Sequence, residues 1–178
     1  RNGHQDYIGP VEISDQRGCE GGGNSEIRII EGFRIMTKRP KTMIHHAGEI
    51  SFPGGRWDVK DPDFLETAIR ETREEIGIDI LRNQITGQLK AVTTLNSGFT
   101  ITPFVTIQDE IGLLEPNPEI ESILKIPLIP LLKTIEEDKD PEHNSILEMN
   151  TFTFQNHLIW GASARMLKQI LEILSDNG

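Results

Sequence analysis

The chain has 178 residues, enough for one domain with a sizeable core, and 36% hydrophobic with 26% charged residues is typical of a globular protein. Its formal net charge of −10 argues against nucleic acid as a nonspecific partner, because no basic excess exists to neutralise phosphates. The most apolar run, residues 123–132, is too short to span a membrane, and with a polar N-terminus and one cysteine the chain is expected to be cytoplasmic.

The composition of the chain changes near residue 27. Residues 1–26 are rich in glycine and polar residues and lack a clear apolar strand, so we expect a poorly ordered or extended segment there. The remaining residues, 27–178, are expected to form the domain. Within it, residues 33–37 predict a strand, and residues 42–52 predict a loop with a short strand near its end.

A helix is predicted over residues 62–76. Asp61 is a favourable N-cap, Pro62 a favourable first residue, and Gly77 stands where a left-handed C-terminal cap is expected. At about 100° per residue, one face of this helix is expected to turn inward; it comprises Leu65, Ala68, Ile69, Thr72 and Ile76. Glutamates lie beside this stripe rather than opposite it, so they are expected at the rim of the core.

The second half of the chain predicts strands mixed with one long and one short helix. The expected strands cover 88–96, 100–108 and 120–126, with a turn at 116–118. A short helix at 127–134, a loop at 136–144, a hairpin from 149–154 and 157–160, and an amphipathic helix at 162–174 follow. Strands mixed with two main helices favour an α/β (α+β) fold, an α/β/α sandwich around a mixed β-sheet.

Three carboxylates crowd the predicted helix at Glu71, Glu74 and Glu75. Residues three and four apart share a helix face, so these like charges repel one another unless a cation lies between them. Hard divalent cations take oxygen ligands, and Arg70 is placed to orient a carboxylate through a charge-assisted hydrogen bond. A solvated acidic helix face is the plain alternative, but the fixed spacing to the glycines in Phe52-Pro53-Gly54-Gly55 favours a metal site.

These residues resemble the signature of the Nudix hydrolases, G-x5-E-x7-R-E-U-x-E-E-x-G-U, where U is aliphatic. Asp61 stands at the first glutamate position, eight residues rather than seven separate it from Arg70, and Thr72 stands at an aliphatic position. The shorter acid and the extra residue are similar to the branch that cleaves coenzyme A.

Upstream residues are similar to that branch as well. Residues 35–39, Gly48 and residues 52–55 match the pattern LLTxRSx3Rx3Gx3FPGG, but Pro40 replaces its serine and Ile44 its second arginine. Two further segments, 101–105 and 159–167, are also similar, so the resemblance covers residues 33 to about 175. The missing arginine removes a possible phosphate-binding group, which leaves the substrate open.

The resemblance implies a pyrophosphohydrolase that uses Mg²⁺ or Mn²⁺ and converts coenzyme A or an acyl-CoA to 3′,5′-ADP and 4′-phosphopantetheine. The implied catalytic residues are Arg70, Glu71, Glu74 and Glu75. The implied metal ligands are Glu71, Glu74, Glu75 and the carbonyl of Gly54. The implied substrate-binding residues are Arg39, Phe52 and Gly55, with further positive charge from Lys38, Lys41 and Arg56. The expected partner is a small-molecule nucleotide, without nucleic acid or membrane, in a possible homodimer.

Alternatives remain open at the level of sequence. The substrate is coenzyme A, ADP-ribose or another nucleotide, or the chain is a Nudix-fold module that binds a nucleotide without turnover. Glu119 is either a distant acid that binds metal or activates water, or a solvated loop residue. His45 and His46 match no metal-ligand spacing and are read as ordinary surface residues, and Ser163 lacks the context of a nucleophile.

Overall fold

The computed structural model describes residues 7–14, 32–43, 46–94, 98–108, 111–141 and 149–176, and over 7–14 it describes the backbone alone. The strands are β1 (Tyr7–Ser14), β2 (Phe33–Lys38), β3 (Ile50–Ser51), β4 (Ile85–Gln88), β5 (Val92–Thr93), β6 (Thr100–Gln108), β7 (Ser122–Pro127), β8 (Glu136–Glu137), β9 (Asn150–Phe154) and β10 (His157–Ile159). The helices are α1 (Phe64–Ile76), α2 (Leu128–Leu132) and α3 (Gly161–Asp176), with a 3₁₀ turn at Arg82–Gln84.

Among the described residues, seven strands form one mixed sheet in the order β3-β2-β1-β6-β4, with β5 also paired to β6 and β7 to β2. The β1 and β6 strands run parallel, whereas the other pairs in this sheet are antiparallel. The strands β8, β9 and β10 form a second, antiparallel sheet. A parallel pair between strands so far apart in sequence requires a long crossover, and the segment that contains α1 lies within it.

Helices cover both faces of the large sheet, as two neighbouring residues of β2 show. Ile35 packs in a cluster with Ile76 at the end of α1, whereas Met36 packs in the cluster that contains Leu167 of α3. Successive side chains of a strand point to opposite faces, so α1 and α3 lie on opposite sides of the sheet. Burying each such side chain stabilises the fold by roughly 1.5–3 kcal/mol. The predicted α/β/α sandwich is therefore observed.

Helix α1 begins two residues later than predicted. Asp63, not Asp61, is its N-cap, and the Asp63 carboxylate accepts a hydrogen bond from the backbone N–H of Glu66 at 2.9 Å. The predicted start at Pro62 was wrong because the Asp61 carboxylate is already occupied by side chains farther along the helix. Arg82 reinforces the observed cap through hydrogen bonds to Asp63 of 2.6 and 3.1 Å. The predicted left-handed cap at Gly77 is confirmed, with φ of 79°.

Replacing Gly77 by alanine is expected to lower the free energy of unfolding by about 1–2 kcal/mol, because a left-handed φ disfavours a side chain. A Cβ at Gly77 would also lie 3.3 Å from the backbone nitrogen of Glu115, which is tight. Gly98→Ala is the matched control, since Gly98 has φ of +69° but no atom of the described residues within 4 Å of its Cβ position. Urea denaturation should show a larger loss in the free energy of unfolding for Gly77→Ala than for Gly98→Ala. Equal losses would show that the contact with Glu115 does not contribute to the destabilisation.

Several predicted elements differ from those observed. The poorly ordered or extended segment expected over residues 1–26 contains β1, whereas residues 1–6 and 15–26 lie outside the described part of the chain. The division into a 1–26 segment and a 27–178 domain stays a prediction. The single strand predicted over 88–96 is instead the end of β4 and the separate β5. Between them, Gln169 of α3 bonds both the backbone N–H and the carbonyl of Lys90, at 2.8 and 3.0 Å, and so replaces strand pairing there.

The remaining C-terminal predictions agree with the structure more closely. The short helix, the hairpin and the closing helix are confirmed as α2, β9–β10 and α3. The loop predicted over 136–144 begins instead with β8, because Glu136 and Glu137 pair with β9. Within the described ranges, no helix combines the length and the apolar character needed to cross a bilayer.

Candidate active site

Arg70 links the acidic residues of α1 to the loop before the helix. Its Nε and Nη2 donate to the two carboxylate oxygens of Asp61 at 3.0 and 2.9 Å. Its Nη1 donates to Glu71 at 2.7 Å and to Glu74 at 3.1 Å, and Nη2 also reaches the carbonyl of Arg56 at 3.2 Å. One guanidinium thus sets the positions of three carboxylates, and the predicted orienting role of Arg70 agrees with this geometry.

Asp61 is the anchor of this network. It is 9% exposed and also accepts hydrogen bonds from the Thr67 hydroxyl at 2.9 Å and from the backbone N–H of Asp58 at 3.1 Å. The hydrogen bond from Arg70 is the main reason that the pKa of Asp61 lies far below its ordinary value. Asp61 therefore stays ionised and holds Arg70 in place, a role that sequence reasoning missed by assigning it to the helix cap.

Glu71 lies against the glycine turn. A Cβ built on Gly55 would lie 2.7 Å from Oε1 of Glu71 and closer still to its Oε2 and Cδ, so only glycine fits opposite this carboxylate. Burial raises the pKa of Glu71, and the hydrogen bond from Arg70 offsets only part of that rise. The sequence placed Gly55 among the substrate-binding residues; the structure places it directly behind an acidic side chain, and its contact with substrate stays a prediction.

Glu75 is the most buried carboxylate of the group. Its side chain is 7% exposed, its Oε2 accepts the backbone N–H of Gly54 at 2.9 Å, and its Oε1 lies 3.8 Å from Nη2 of Arg39. The pKa of Glu75 is raised to about 7, mainly by burial and also by the charges of Glu71 and Glu119, whereas the Gly54 N–H and Arg39 act to lower it. The cluster thus holds more negative charge than its arginines compensate.

The raised pKa of Glu75 predicts how the stability of the metal-free protein changes with pH. Its ordinary pKa of 4.5 applies to the unfolded chain and about 7 to the folded protein, so the folded state binds the proton more tightly between these values. The free energy of unfolding is therefore expected to fall as pH rises from about 4.5 to 7, by on the order of 3 kcal/mol from this group alone.

Thermal denaturation in chelator at several pH values would measure this effect as the difference between the wild type and Glu75→Gln. Contributions from other groups, such as Asp61, are common to both proteins and cancel in that difference. The variant is expected to gain stability relative to the wild type as pH rises through this window. A difference that stays constant from pH 4.5 to 8 would contradict the assignment.

The loop before β7 brings a further acid to this edge of α1. The backbone N–H of Asn117 donates to the Glu75 carbonyl at 3.0 Å, and that of Glu115 donates to the Ile76 carbonyl at 2.9 Å. These bonds close the C-terminal end of the helix and hold the loop beside it. Glu119, which is 62% exposed, lies 3.8 Å from Nη1 of Arg39. Arg39 therefore stands between Glu75 and Glu119, and the loop acid that the sequence left open is part of the cluster.

Other predicted residues lie elsewhere. Phe52 is 4% exposed and packs in the core on the α3 side of the sheet, so it supports the glycine turn from within; its predicted contact with substrate stays a prediction. Glu74 has a 57% exposed side chain and pairs with Arg70. His46 pairs with Glu49 at 2.8 Å, whereas His45 and Ile44 lie outside the described residues.

One contact at the edge of the site escaped sequence reasoning. The guanidinium carbon of Arg56 lies 4.7 Å from the centre of the Phe99 ring. The sequence identifies Arg56 only as a nearby positive charge, and nothing in it links Arg56 to an aromatic residue 43 positions away. No local pattern signals such a contact, because it depends on how the residues before α1 meet the start of β6 in the folded chain.

The donor chemistry of the cluster fits a hard divalent cation. Glu71 and Glu75 offer carboxylate oxygens four residues apart on one helix, and burial raises the pKa of both, so a cation would relieve their repulsion. Across the described ranges, however, no three acidic, histidine or cysteine side chains converge as they would around an ion. Arg70 and Arg39 pair with these carboxylates instead, so binding an ion would require the carboxylates to turn.

Known proteins share both the sequence and the fold of this chain. A family model of the NUDIX domain matches residues 31–148. An uncharacterized Nudix hydrolase NudL from Photorhabdus laumondii is 31% identical over 144 residues, which cover 78% of this chain and 75% of that protein. Nudix hydrolase 3 from Caenorhabditis elegans is 32% identical over 163 residues, which cover 79% of this chain and 66% of the relative.

Two solved structures support the fold alone, because their sequence identity is low. The MutT/nudix family protein from Enterococcus faecalis superposes with a TM-score of 0.63 and 11% identity, covering 98% of this chain and 64% of that one. The NUDIX domain of Shewanella oneidensis NrtR, solved with ADP ribose, gives a TM-score of 0.63 and 12% identity, covering 98% and 90%. The predicted sandwich architecture is confirmed by these neighbours.

Proposed function

This chain belongs to the Nudix family of hydrolases, and we propose that it cleaves the diphosphate linkage of a small nucleotide with the help of Mg²⁺ or Mn²⁺. The observation that carries this proposal is the pair of carboxylates formed by the buried Glu75 and the partly buried Glu71, whose pKa values are both raised by desolvation. A protein that needed only a stable helix would not withdraw two like charges one turn apart from water. Catalytic use of a cation accounts for that arrangement.

In such a reaction, some residues of this chain would position the site and others would bind the ion. Asp61 and Arg70 fix the backbone of the glycine turn and the carboxylates of Glu71 and Glu74. The Gly54 N–H holds one oxygen of Glu75, and we propose that the Gly54 carbonyl and the three glutamates bind the ion. When bound, a divalent cation neutralises phosphate charge and lowers the pKa of an attacking water.

The chemical step requires little covalent help from the protein. The water oxygen bonds to one phosphorus, the bond from that phosphorus to the bridging oxygen breaks, and the water gives up a proton. Glu119 is exposed at this edge and available to accept that proton. Arg39, which lies 3.8 Å from both Glu75 and Glu119, is placed to take a phosphate oxygen once an ion satisfies those carboxylates.

We further propose coenzyme A or an acyl-CoA as the substrate and the cytoplasm as the site of action. The aspartate at position 61, the extra residue before Arg70 and the motif at 35–39 support the coenzyme A branch. Isoleucine at position 44, in place of an arginine, favours a second candidate, ADP-ribose or another nucleotide that lacks a 3′-phosphate. A homodimer also remains a prediction.

A substrate panel tests these proposals. Coenzyme A, ADP-ribose and a nucleoside triphosphate would each be incubated with the protein and Mg²⁺ or Mn²⁺, and the products identified by mass spectrometry. We expect 3′,5′-ADP and 4′-phosphopantetheine from coenzyme A at the highest kcat/KM. Faster release of AMP from ADP-ribose would favour the second candidate. Nucleotide binding by calorimetry without any metal-dependent product would show a binding module and overturn the enzymatic proposal.

A further inference from the structure

Arg56 is fixed at both ends beside the acidic cluster. It directly follows Gly55, and its backbone carbonyl accepts a hydrogen bond from Nη2 of Arg70 at 3.2 Å. Its guanidinium carbon lies 4.7 Å from the centre of the Phe99 ring. The main chain of Arg56 is therefore held by the same guanidinium that orients the site's carboxylates, while its side chain rests on an aromatic ring.

Phe99, which precedes β6, is itself held by hydrogen bonds to Thr94, which follows β5. The backbone N–H of Thr94 donates to the Phe99 carbonyl at 2.8 Å, and the Phe99 N–H donates to the Thr94 hydroxyl oxygen at 2.9 Å. The flanking residues Thr93 and Thr100 pair across the strands. Because both backbone groups of Phe99 are bonded to Thr94, its ring offers Arg56 a support of defined position.

The charge environment of Arg56 differs from that of its neighbours. Arg39, Arg70 and Arg82 each pair with at least one carboxylate. In the part of the chain that the structure describes, no carboxylate forms an ion pair with Arg56, although the chain carries a net charge of −10. The contact with the ring face uses none of the N–H donors of Arg56. These donors therefore stay available to an anion.

We propose that Arg56 binds a non-bridging phosphate oxygen of the substrate and that Phe99 is a positioning residue that holds the guanidinium for it. A guanidinium fixed in advance loses less freedom when it binds a phosphate than one that samples many rotamers. Arg56 follows the glycine that abuts Glu71, whereas Arg39 lies beside Glu75 and Glu119, so the two arginines flank different carboxylates. This inference rests on the proposed function, because it places the substrate's phosphates at the same cluster.

The test compares Arg56→Ala, Arg56→Lys, Phe99→Leu and the Arg56→Ala/Phe99→Leu double variant with the wild type. Arg73→Ala is the matched control, since Arg73 is an exposed arginine of α1 that pairs with Asp79. Calorimetry would measure the Kd of inorganic pyrophosphate in the presence of Mg²⁺, and steady-state assays would measure kcat and KM for the best substrate of the panel.

Arg56→Ala is expected to weaken pyrophosphate binding by about 10–100-fold, as for loss of a charge-assisted hydrogen bond. Arg56→Lys is expected to fall between this variant and the wild type, because it keeps the charge and loses the planar group. Phe99→Leu should raise Kd and KM several-fold with kcat within about twofold, and the double variant should bind no more weakly than Arg56→Ala. Arg73→Ala should bind as the wild type does.

Unchanged pyrophosphate binding in Arg56→Ala would overturn the proposal. A Phe99→Leu effect that adds in full to that of Arg56→Ala would show that Phe99 acts independently, and would overturn its positioning role. The binding measurement involves no turnover. A wild type that hydrolyses nothing in the panel would therefore refute the proposed function, while the pyrophosphate data would still decide the role of Arg56.

Discussion

Replacing Glu75 by glutamine is expected to lower kcat by about 10²–10⁴-fold at saturating Mg²⁺, as when a charged group that stabilises the transition state is lost. Glu75 is the most buried of the three glutamates, and the Gly54 N–H and Arg39 already lie around it. Glutamine keeps the shape and one oxygen but removes the charge that would bind a cation. Turnover of the best substrate, measured over a range of Mg²⁺ concentrations, checks the prediction.

Glu172→Gln is the control for the change in overall charge. Glu172 lies on the exposed side of α3, so this variant makes the same change in charge at an exposed position. It is expected to leave kcat unchanged. Loss of activity in Glu75→Gln must also be separated from misfolding, which a measurement of stability at pH 8 does. Because the ionised Glu75 is buried at a cost, the metal-free variant should be at least as stable as the wild type at pH 8. Turnover within about threefold of the wild type would remove Glu75 from the catalytic group.

Replacing Gly55 by alanine is expected to lower kcat/KM by about 100-fold, because the new methyl group would occupy the position of the Glu71 carboxylate. Either Glu71 turns away or the glycine turn moves, and both displace groups that are held by the Arg70 network. Overpacking of this kind is also expected to reduce the free energy of unfolding by roughly 1–3 kcal/mol. Steady-state kinetics and urea denaturation measure the two effects.

Gly87→Ala provides the matched control for this change. Gly87 lies in β4, and a Cβ there would meet nothing within 4 Å. We expect both activity and stability to stay close to those of the wild type. If Gly55→Ala behaved like Gly87→Ala, the close approach between Gly55 and Glu71 would have no functional importance.

Local patterns predicted the elements whose determinants lie within a few residues of one another. The end of α1 at Ile76 and its cap at Gly77 follow from helical periodicity and from glycine's tolerance of left-handed φ. The prediction that Asp61 caps the helix was wrong. Asp61 and Asp63 are both suitable N-caps, and Arg70, nine residues after Asp61, binds the Asp61 carboxylate and leaves the cap to Asp63. Clustering of Glu71 and Glu75 with the glycine turn was predictable because the sequence spacing alone aligns them.

Contacts between distant segments could not be predicted in this way. Strand β1 pairs with β6, more than 80 residues away, so its own composition gave no signal. Gln169 interrupts the strand predicted over 88–96 from a helix at the other end of the chain. Glu119 reaches Arg39 only because the loop before β7 is bonded to the end of α1. Each of these depends on tertiary packing, which overrides the local preference.

The most direct test of the account is a Mn²⁺ titration monitored by electron paramagnetic resonance in the presence of a nonhydrolysable diphosphate analogue. The wild type is expected to bind Mn²⁺ at a defined stoichiometry, and Glu71→Gln and Glu75→Gln are expected to lose that binding, while Glu172→Gln keeps it. If both glutamine variants bound Mn²⁺ with the affinity and stoichiometry of the wild type, the carboxylates of α1 would not be the metal site, and the proposed mechanism would be wrong.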